Sequence, residues 1–524
     1  LYPCLCSWAI LRITKSLPMA VLSFVMVAIA ASRVLRWEPG HPNDLCGLSL
    51  AALVFAASFL SERSTRALLF AGLICTAALL VKVNVGVYLS LGLLAGLLPF
   101  TKSVPLRRAT YLIFAIAALC FPTVLMHAHL GDGWAVSLDV VITLALASAF
   151  LLATKIAVEP FAGLRSWVIA IGVSTLFGAV LLGMFIAIGS SLSAIVTGSV
   201  LQHLGTDKAW YIPVSAALSV HCAVITLFGF GLMLWVRRDP VLRARSNVVI
   251  GLKLAAWALL FALIVLNTDS IKLATGQIAF VDGPALLWLA LLPSAEDPRI
   301  TNRPFRYVVV FATLFMLLFP YPVGGDHADM PTISMIVIYV LCLDDGLTII
   351  QERYRQRLLR NRWTWLAGPA FMSCLCLILI GLAGYNYRHY RSWVSLRLPG
   401  ASRVHLKPEE ARMYETLARK VNQDCQGFIS MPGFDSLYFW TGQEPPTTIN
   451  MSNWITVLAP SYQRQTIKAI ENDKRDCVIE NDYWVEWWRR GQDLNKILLA
   501  HYIRTNFKQY DQVGDYRILV RRDR

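Results

Sequence analysis

The chain has 524 residues, of which 56% are hydrophobic and 15% charged, and its mean hydropathy is +0.54. An ordinary soluble domain carries about 25% charged residues, so this balance excludes a soluble globule of that length. The formal net charge is +15, but much of it lies in short loops between apolar runs rather than in one basic groove with interleaved aromatics, which excludes a nucleic-acid-binding role.

The first segment, 1–13, reads as the tail of an apolar stretch. No basic region precedes it and no Ala-x-Ala site ends it, so it is not a secretory signal. A start at Leu1 rather than Met points to a fragment or a processed beginning. From Leu17 onward, runs such as 17–35, 67–81 and 248–266 approach the roughly 20 residues that cross a hydrocarbon core. Backbone amides in that core must bond within their own segment, so continuous apolar runs predict helices, and the lack of alternation excludes a β-barrel. The expected spans are 17–36, 43–61, 67–83, 85–100, 108–127, 134–153, 166–187, 212–236, 248–266, 275–294, 304–321, 332–349 and 367–386, about 13 in all.

Loop charge gives the spans a direction. Alternate loops hold Arg12/Lys15, Arg63/Arg66, Lys102/Arg107/Arg108, Lys155/Arg165, Arg237/Arg238/Arg243/Arg245, Arg299/Arg303/Arg306 and the run from Arg353 to Arg362. The loops between them hold chiefly Lys82, Lys208 and Lys272, with Arg33 and Arg36 at one span end. The bias, about 21 against about 5, makes the basic set cytoplasmic. An odd number of spans then puts the C-terminal domain outside. No fixed-period repeat is visible, nor the two halves with matching interrupted helices that many secondary transporters show.

Chemistry outside the cell would fall to the outward loops. The first is Trp37-Glu38-Pro39-Gly40-His41-Pro42-Asn43-Asp44, whose carboxylates and histidine can deprotonate a hydroxyl or hold a divalent cation. The bland reading is a helix-breaking loop with Asp44 as the cap of the next helix. A second is Tyr321-Pro322-Val323-Gly324-Gly325-Asp326-His327-Ala328-Asp329, where Asp326 and His327 can ligate a metal or can be solvated loop polarity. Lys82, in the turn Lys82-Val83-Asn84-Val85-Gly86, can meet a phosphate as a point charge or snorkel to lipid headgroups. The segment 189–211 has an apolar middle and reads as a re-entrant or interfacial helix. Asp139, Asp282 and the pair Asp344-Asp345 fall at or inside spans, where ionisable groups need a cavity or a partner. For the pair, neighbouring Arg residues are the expected neutralisers.

After about residue 387 the character changes. Segment 388–524 is charged and aromatic and predicts a small α/β domain: helices at 408–421, 464–472 and 493–506, strands at 427–431, 477–480 and 516–521. Cys425 and Cys477 stand in matching Asp-Cys settings at two strand starts. If those strands are parallel neighbours, an oxidising compartment permits a disulfide. The other cysteines show no CxxC spacing and read as packing residues. In the segment from Met431 to Gly442, Tyr438 and Trp440 offer flat faces with polar tips, which suit a sugar ring or docking onto the membrane domain equally.

The fold class is thus an α-helical polytopic membrane protein, 1–387, with a small extracytoplasmic α/β domain, 388–524. The Pro-Gly-His-Pro of the first outward loop, the Lys-Val-Asn-Val-Gly turn, the Tyr-Pro-Val-Gly-Gly loop and the segment Pro-Gly-Phe-Asp-Ser-x-Tyr-Phe-Trp-Thr-Gly-x-Glu-Pro-Pro-Thr resemble bacterial multi-pass glycosyltransferases of the GT-C superfamily. The resemblance implies sugar transfer from a polyprenyl-phosphate carrier to a glycan, lipid or protein acceptor, on the outer face of the inner (plasma) membrane and with inversion at the anomeric carbon. It implies Glu38 or Asp44 as acceptor base, Lys82 or Lys272 at the donor phosphate, and His41, Tyr438 and Trp440 at the substrate. It also implies Asp326 and His327 as ligands of a divalent cation, Mg or Mn, or of the sugar. The superfamily's acidic motif follows the first span, so in a fragment the base can lie upstream of Leu1. The alternatives are a transporter or flippase of lipid-linked glycans, which needs paired intramembrane charges, and a non-catalytic subunit of an envelope assembly.

Overall fold

A computed structural model describes residues 1–34, 42–62, 64–102, 104–156, 158–199, 216–266, 283–292, 303–321, 330–360, 362–447, 458, 460–472, 476–489 and 493–523, without the side chains of some, Asp44 among them. It divides into two compact units, and the division falls inside one long helix, between Leu382 and Ala383.

The first unit is helical. Its elements are α1 (Tyr2–Thr14), α2 (Leu17–Val34), α3 (Pro42–Ser58), α4 (Thr65–Val81), α5 (Val83–Leu97), α6 (Val104–Met126), α7 (Gly133–Ala153), α8 (Leu164–Ala187), α9 (Leu192–Ser199), α10 (Ala216–Arg237), α11 (Pro240–Ala244), α12 (Asn247–Leu266), α13 (Arg303–Met316), α14 (Thr332–Arg360) and α15 (Arg362–Arg391). Seven helices among the described residues are long and apolar enough to cross a membrane, and the chain is membrane-embedded. α8 makes the physical case most simply: only Ala170 is buried, while Leu164, Val168, Ile171 and Leu176 stand more than half exposed. A row of bare apolar side chains of that length is stable against lipid, not water.

Of 275–294 only 283–292 are described, with a 3-10 run over Pro284–Leu291. One expected span comes out differently. Around 304–321, α13 has 14 residues and then breaks into turns. Of the expected interfacial helix at 189–211, α9 is the described part. Asp282 lies outside the described residues.

α13 is buried along its whole length and lies against α5. Gly92 and Gly96, one turn apart on α5, make the approach possible: a Cβ added at Gly92 would sit 2.3 Å from Ala312 Cα, and one at Gly96 would sit 2.6 Å from Val308 Cα. Without a strong hydrophobic drive between helices in lipid, such small-residue faces are what lets backbones pack.

Three charges are sealed inside this unit. Asp345 on α14 receives Lys253 Nζ from α12 at 2.6 Å, and Arg306 of α13 reaches its two oxygens at 2.8 and 2.7 Å. Lys253 is 0% exposed and Asp345 1%. The remaining donors go to backbone: Lys253 to Leu292 O at 3.3 Å and Arg306 to Ala290 O at 2.9 Å. An arginine does neutralise Asp345, as expected, but it is Arg306, joined by Lys253; Arg353 bonds instead to Asn247 and the Arg245 carbonyl. Asp139 on α7 is satisfied differently, by the hydroxyls of Thr123 (2.9 Å) and Thr143 (3.3 Å), which ties α6 to α7.

The second unit holds a four-stranded sheet in the order β3-β4-β6-β5: β3 (Phe428–Met431), β4 (Cys477–Asn481), β5 (Phe507–Val513) and β6 (Tyr516–Arg521). β3 and β4 are parallel, and the other pairings are antiparallel. A two-stranded ribbon, β1 (Val394–Ser395) with β2 (His405–Leu406), precedes α16 (Pro408–Asp424). The remaining helices are α17 (Asp435–Thr441), α18 (Pro460–Asn472), α19 (Asp482–Arg489) and α20 (Leu498–Asn506). Strand alternation feeds two cores. Ile429, Met431, Val478 and Leu519 point to the α18/α20 side, and Phe428, Ile479, Ile518 and Val520 to the α16/α17 side. Gly514, at φ +56°, turns β5 into β6 where a side chain would also strike Met413. Phe428 pairs with Cys477 across the parallel ladder, and Cys425 and Cys477 are joined in a disulfide with their Cα atoms 5.7 Å apart.

Asp345→Asn should leave two buried cations short of their counter-charge and cost about 3–5 kcal/mol, whereas replacing all three members by apolar residues (Lys253→Met, Arg306→Met, Asp345→Leu) should recover much of that loss. Thermal aggregation of the detergent-solubilised protein, read by size exclusion after heating, checks both; equal stability of Asp345→Asn and wild type would contradict the account. Digestion without reductant should release the Cys425 and Cys477 peptides as one linked mass that reductant splits in two.

Candidate functional site

One end of the helical unit gathers polar and aromatic side chains from four separate stretches of chain. Lys82 lies between α4 and α5, in extended backbone that reverses the chain. Its Nζ stands 4.6 Å from the centre of the Phe319 ring, a cation–π distance. Two residues on, Tyr321 meets the rings of His129 and Trp134, each with centroids 6.1 Å apart. His129 closes α6 through a short 3-10 turn, and its Nδ1 lies 3.4 Å from Asp132 Oδ2 at the start of α7. Tyr88, one helical turn beyond Asn84, packs edge-on to Phe121 at 6.3 Å. The result is a cation and a carboxylate–imidazole pair beside an aromatic wall whose rings are themselves buried and brace the rim rather than face solvent.

Each part has a local cause. The turn at Lys82 is as tight as it is because Gly86 has no Cβ; one would lie 2.3 Å from the Leu79 backbone nitrogen. Asp132 lies beside the Nδ1 edge of the ring, and Nε2 is on its other, buried edge. Phe319 and Tyr321 sit in the turns that follow α13, so the depth of α13 in the bundle sets their position.

The described flanks of two candidate loops lie against each other. A Cβ on Gly47 would lie 3.0 Å from the sulfur of Met330, the first described residue after 322–329. Glu38, His41, Lys272, Asp326 and His327 themselves lie outside the described residues, as does the side chain of Asp44. Among the described residues, no three His, Cys, Asp or Glu side chains gather as a metal-ligand set. His129, Asp132 and Trp134 are absent from the sequence reading, although a signal exists: the run His127-Ala128-His129-Leu130-Gly131-Asp132 interrupts two apolar stretches and contains no Lys or Arg.

In the sheet-containing unit the two aromatic candidates part company. Tyr438 is buried, stacked on Phe428 at 4.2 Å, and its hydroxyl donates to the Phe428 carbonyl at 3.1 Å. Burial pushes its phenol up to about 12. It is a core residue and presents no open face to a sugar, because the helix that carries it packs onto the sheet. Trp440 is half-buried in a cluster with Tyr414 (5.6 Å) and Phe434 (5.4 Å), and Phe434 stacks on Tyr516 at 5.4 Å. At the end of β4, burial raises the Glu480 carboxyl, with Arg517 pulling in the opposite direction at 2.8 Å.

No family model, no curated protein and no solved structure matches the chain.

Tyr438→Phe should cost about 1 kcal/mol, the hydrogen bond alone, and Tyr438→Ala about 3–5 kcal/mol from the cavity. Urea dependence of limited proteolysis within 383–524 separates the two; a Tyr438→Ala protein as resistant as wild type would restore Tyr438 to a surface role.

Proposed function

We propose that the protein is a membrane glycosyltransferase that moves a sugar from a polyprenyl-phosphate carrier to an acceptor on the outer face of a bacterial inner membrane. The observation that carries the reading is the convergence of Lys82, the His129–Asp132 pair and the aromatic wall on one rim. That rim belongs to the lysine- and arginine-poor loops, which the positive-inside rule places outside. The disulfide between Cys425 and Cys477 supports the same side for the α/β domain, since oxidising compartments favour such bonds.

The chemistry asks little of the protein beyond charge and position. The acceptor hydroxyl gives its proton to a base and forms a bond to the anomeric carbon from the face opposite the leaving group. The bond from that carbon to the phosphate oxygen breaks, and polyprenyl phosphate departs with the electron pair. Lys82 meets the phosphate charge as it grows, at a rim where water is partly excluded and a point charge acts strongly. The base comes from His129, held by Asp132, or from Glu38 or Asp44 in the loop that leads into α3. His41 and Lys272 belong to the same set of outward loops.

One observation favours a second reading, a transporter of lipid-linked glycans. Lys253, Asp345 and Arg306 are the paired intramembrane charges that such a protein would use. All three, however, satisfy one another and two backbone carbonyls, as a fixed clamp does.

Transfer of radiolabel from polyprenyl-phosphate sugars in membranes tests the reading. Lys82→Ala should raise KM for the donor about tenfold, and loss of the true base among His129, Glu38 and Asp44 should lower kcat by about 10²-fold or more. No transfer from any donor, with lipid-linked glycan instead crossing vesicles in a way that Asp345→Asn abolishes, would favour the transporter.

A further inference from the structure

β3 and β4 are the parallel pair of the sheet, and both deliver chemistry at their carboxyl ends. Ligands of open α/β sheets settle outside those ends, where backbone polarity and loop side chains converge. β3 runs into Phe434, and β4 runs into α19, which carries Asp482-Tyr483-Trp484-Val485-Glu486-Trp487-Trp488-Arg489. The two ends are joined: Tyr516 stacks on Phe434 and is the ladder partner of Asn481, and Asn481 Oδ1 accepts from Trp484 N at 3.1 Å. Val485 turns inward to the core, which forces its neighbours outward. Tyr483 is 64% exposed and Trp484 39%, with their rings 5.1 Å apart and edge-on. Trp484 is braced from behind by Trp487 at 5.7 Å.

A large aromatic surface held this firmly in water needs an occupant, and its charge setting selects one. Between 480 and 493 the chain has the acids Glu480, Asp482, Glu486 and Asp493 against the bases Arg489 and Arg490. The described cations are engaged: Arg489 with Glu486, and Arg517 with both Glu480 and Asp482. With Arg517 counted, four acids face three bases and are largely paired with them, so the surface is close to neutral and is not built for phosphate, nucleic acid or anionic lipid headgroups. Carboxylates and a guanidinium fixed by one another beside open rings suit a neutral polyol instead. A pyranose lays its C–H face on an aromatic ring, and its hydroxyls donate to carboxylates and accept from guanidinium.

We infer that the carboxyl end of β4 is a binding site for a neutral glycan chain, with Tyr483 and Trp484 as the ring-stacking surface and Asp482 and Arg517 as the hydroxyl partners. The site goes beyond sugar transfer: it holds a glycan whether or not the chain modifies it.

The test uses the full-length protein in detergent micelles, titrated by calorimetry with cellohexaose, xylohexaose and maltohexaose. At least one should bind saturably, more tightly than the anionic hexamer of galacturonate. Trp484→Ala should weaken that binding about tenfold or more. Asp482→Asn, which keeps the helix and its rings, should weaken it about fivefold, so a loss in Trp484→Ala is not mistaken for unfolding. Absence of binding by all three neutral hexamers, preference for the anionic one, or unchanged binding by both variants would overturn the site. So would lipid shielding of a Tyr483→Cys variant, read as maleimide labelling in micelles that is lost in nanodiscs. Sugar transfer plays no part in these readings, so the enzyme reading and the binding site can fail separately.

Discussion

Asp345 holds two cations inside an apolar bundle, and much of the geometry at the far rim follows from it. An isolated charge in that setting would cost many kilocalories per mole, so Lys253 and Arg306 must keep to its oxygens. The constraint fixes α12, α13 and α14 relative to one another. Arg306 sits in the first turn of α13, and the same helix leads, about 20 Å along its course, to Phe319 and Tyr321. Gly92 and Gly96 press α13 onto α5, whose own first residue follows Lys82. Clamp, helix contact and aromatic wall are therefore one mechanical line, with charge pairing at one end and the candidate site at the other.

The membrane-embedded character was legible because lipid imposes a rule on sequence: a helix with no water around it must be apolar throughout. α8, bare on nearly every side, is the extreme case. Register between helices was not legible. That an arginine would neutralise Asp345 was legible, but nothing near Asp345 in the chain points to Lys253, 92 positions away. Span length failed at 304–321, where the turns after Met316 interrupt an apolar run that composition alone reads as continuous.

The α/β domain shows the same division. Strands rich in Val, Ile and Phe at 428–431, 477–481 and 516–521 were readable; the parallel pairing that brings Cys425 to Cys477 was only a condition there, and the structure meets it. β5 was not: in Phe-Lys-Gln-Tyr-Asp-Gln-Val only the two ends are buried, and the polar middle is what an edge strand uses to avoid pairing with another chain. Tyr438 and Trp440 look equivalent in sequence, but α17 turns the first into the core and leaves the second half open. His129 and Asp132 were missed for the opposite reason, since a turn of a few residues between two apolar helices offers little pattern to read.

The central proposal is that the rim carrying Lys82 and His129 works outside the cytoplasm, and that the disulfide-bearing domain is extracytoplasmic too. Gly131, in the turn beside His129, has open space where a side chain would go, and Ser402 and Thr154 are exposed. In spheroplasts bearing a protein cleared of its other free cysteines, a membrane-impermeant maleimide should label Gly131→Cys and Ser402→Cys directly, and Thr154→Cys only after permeabilisation. Labelling of Thr154→Cys from outside, with Gly131→Cys protected until the membrane is opened, would contradict the account.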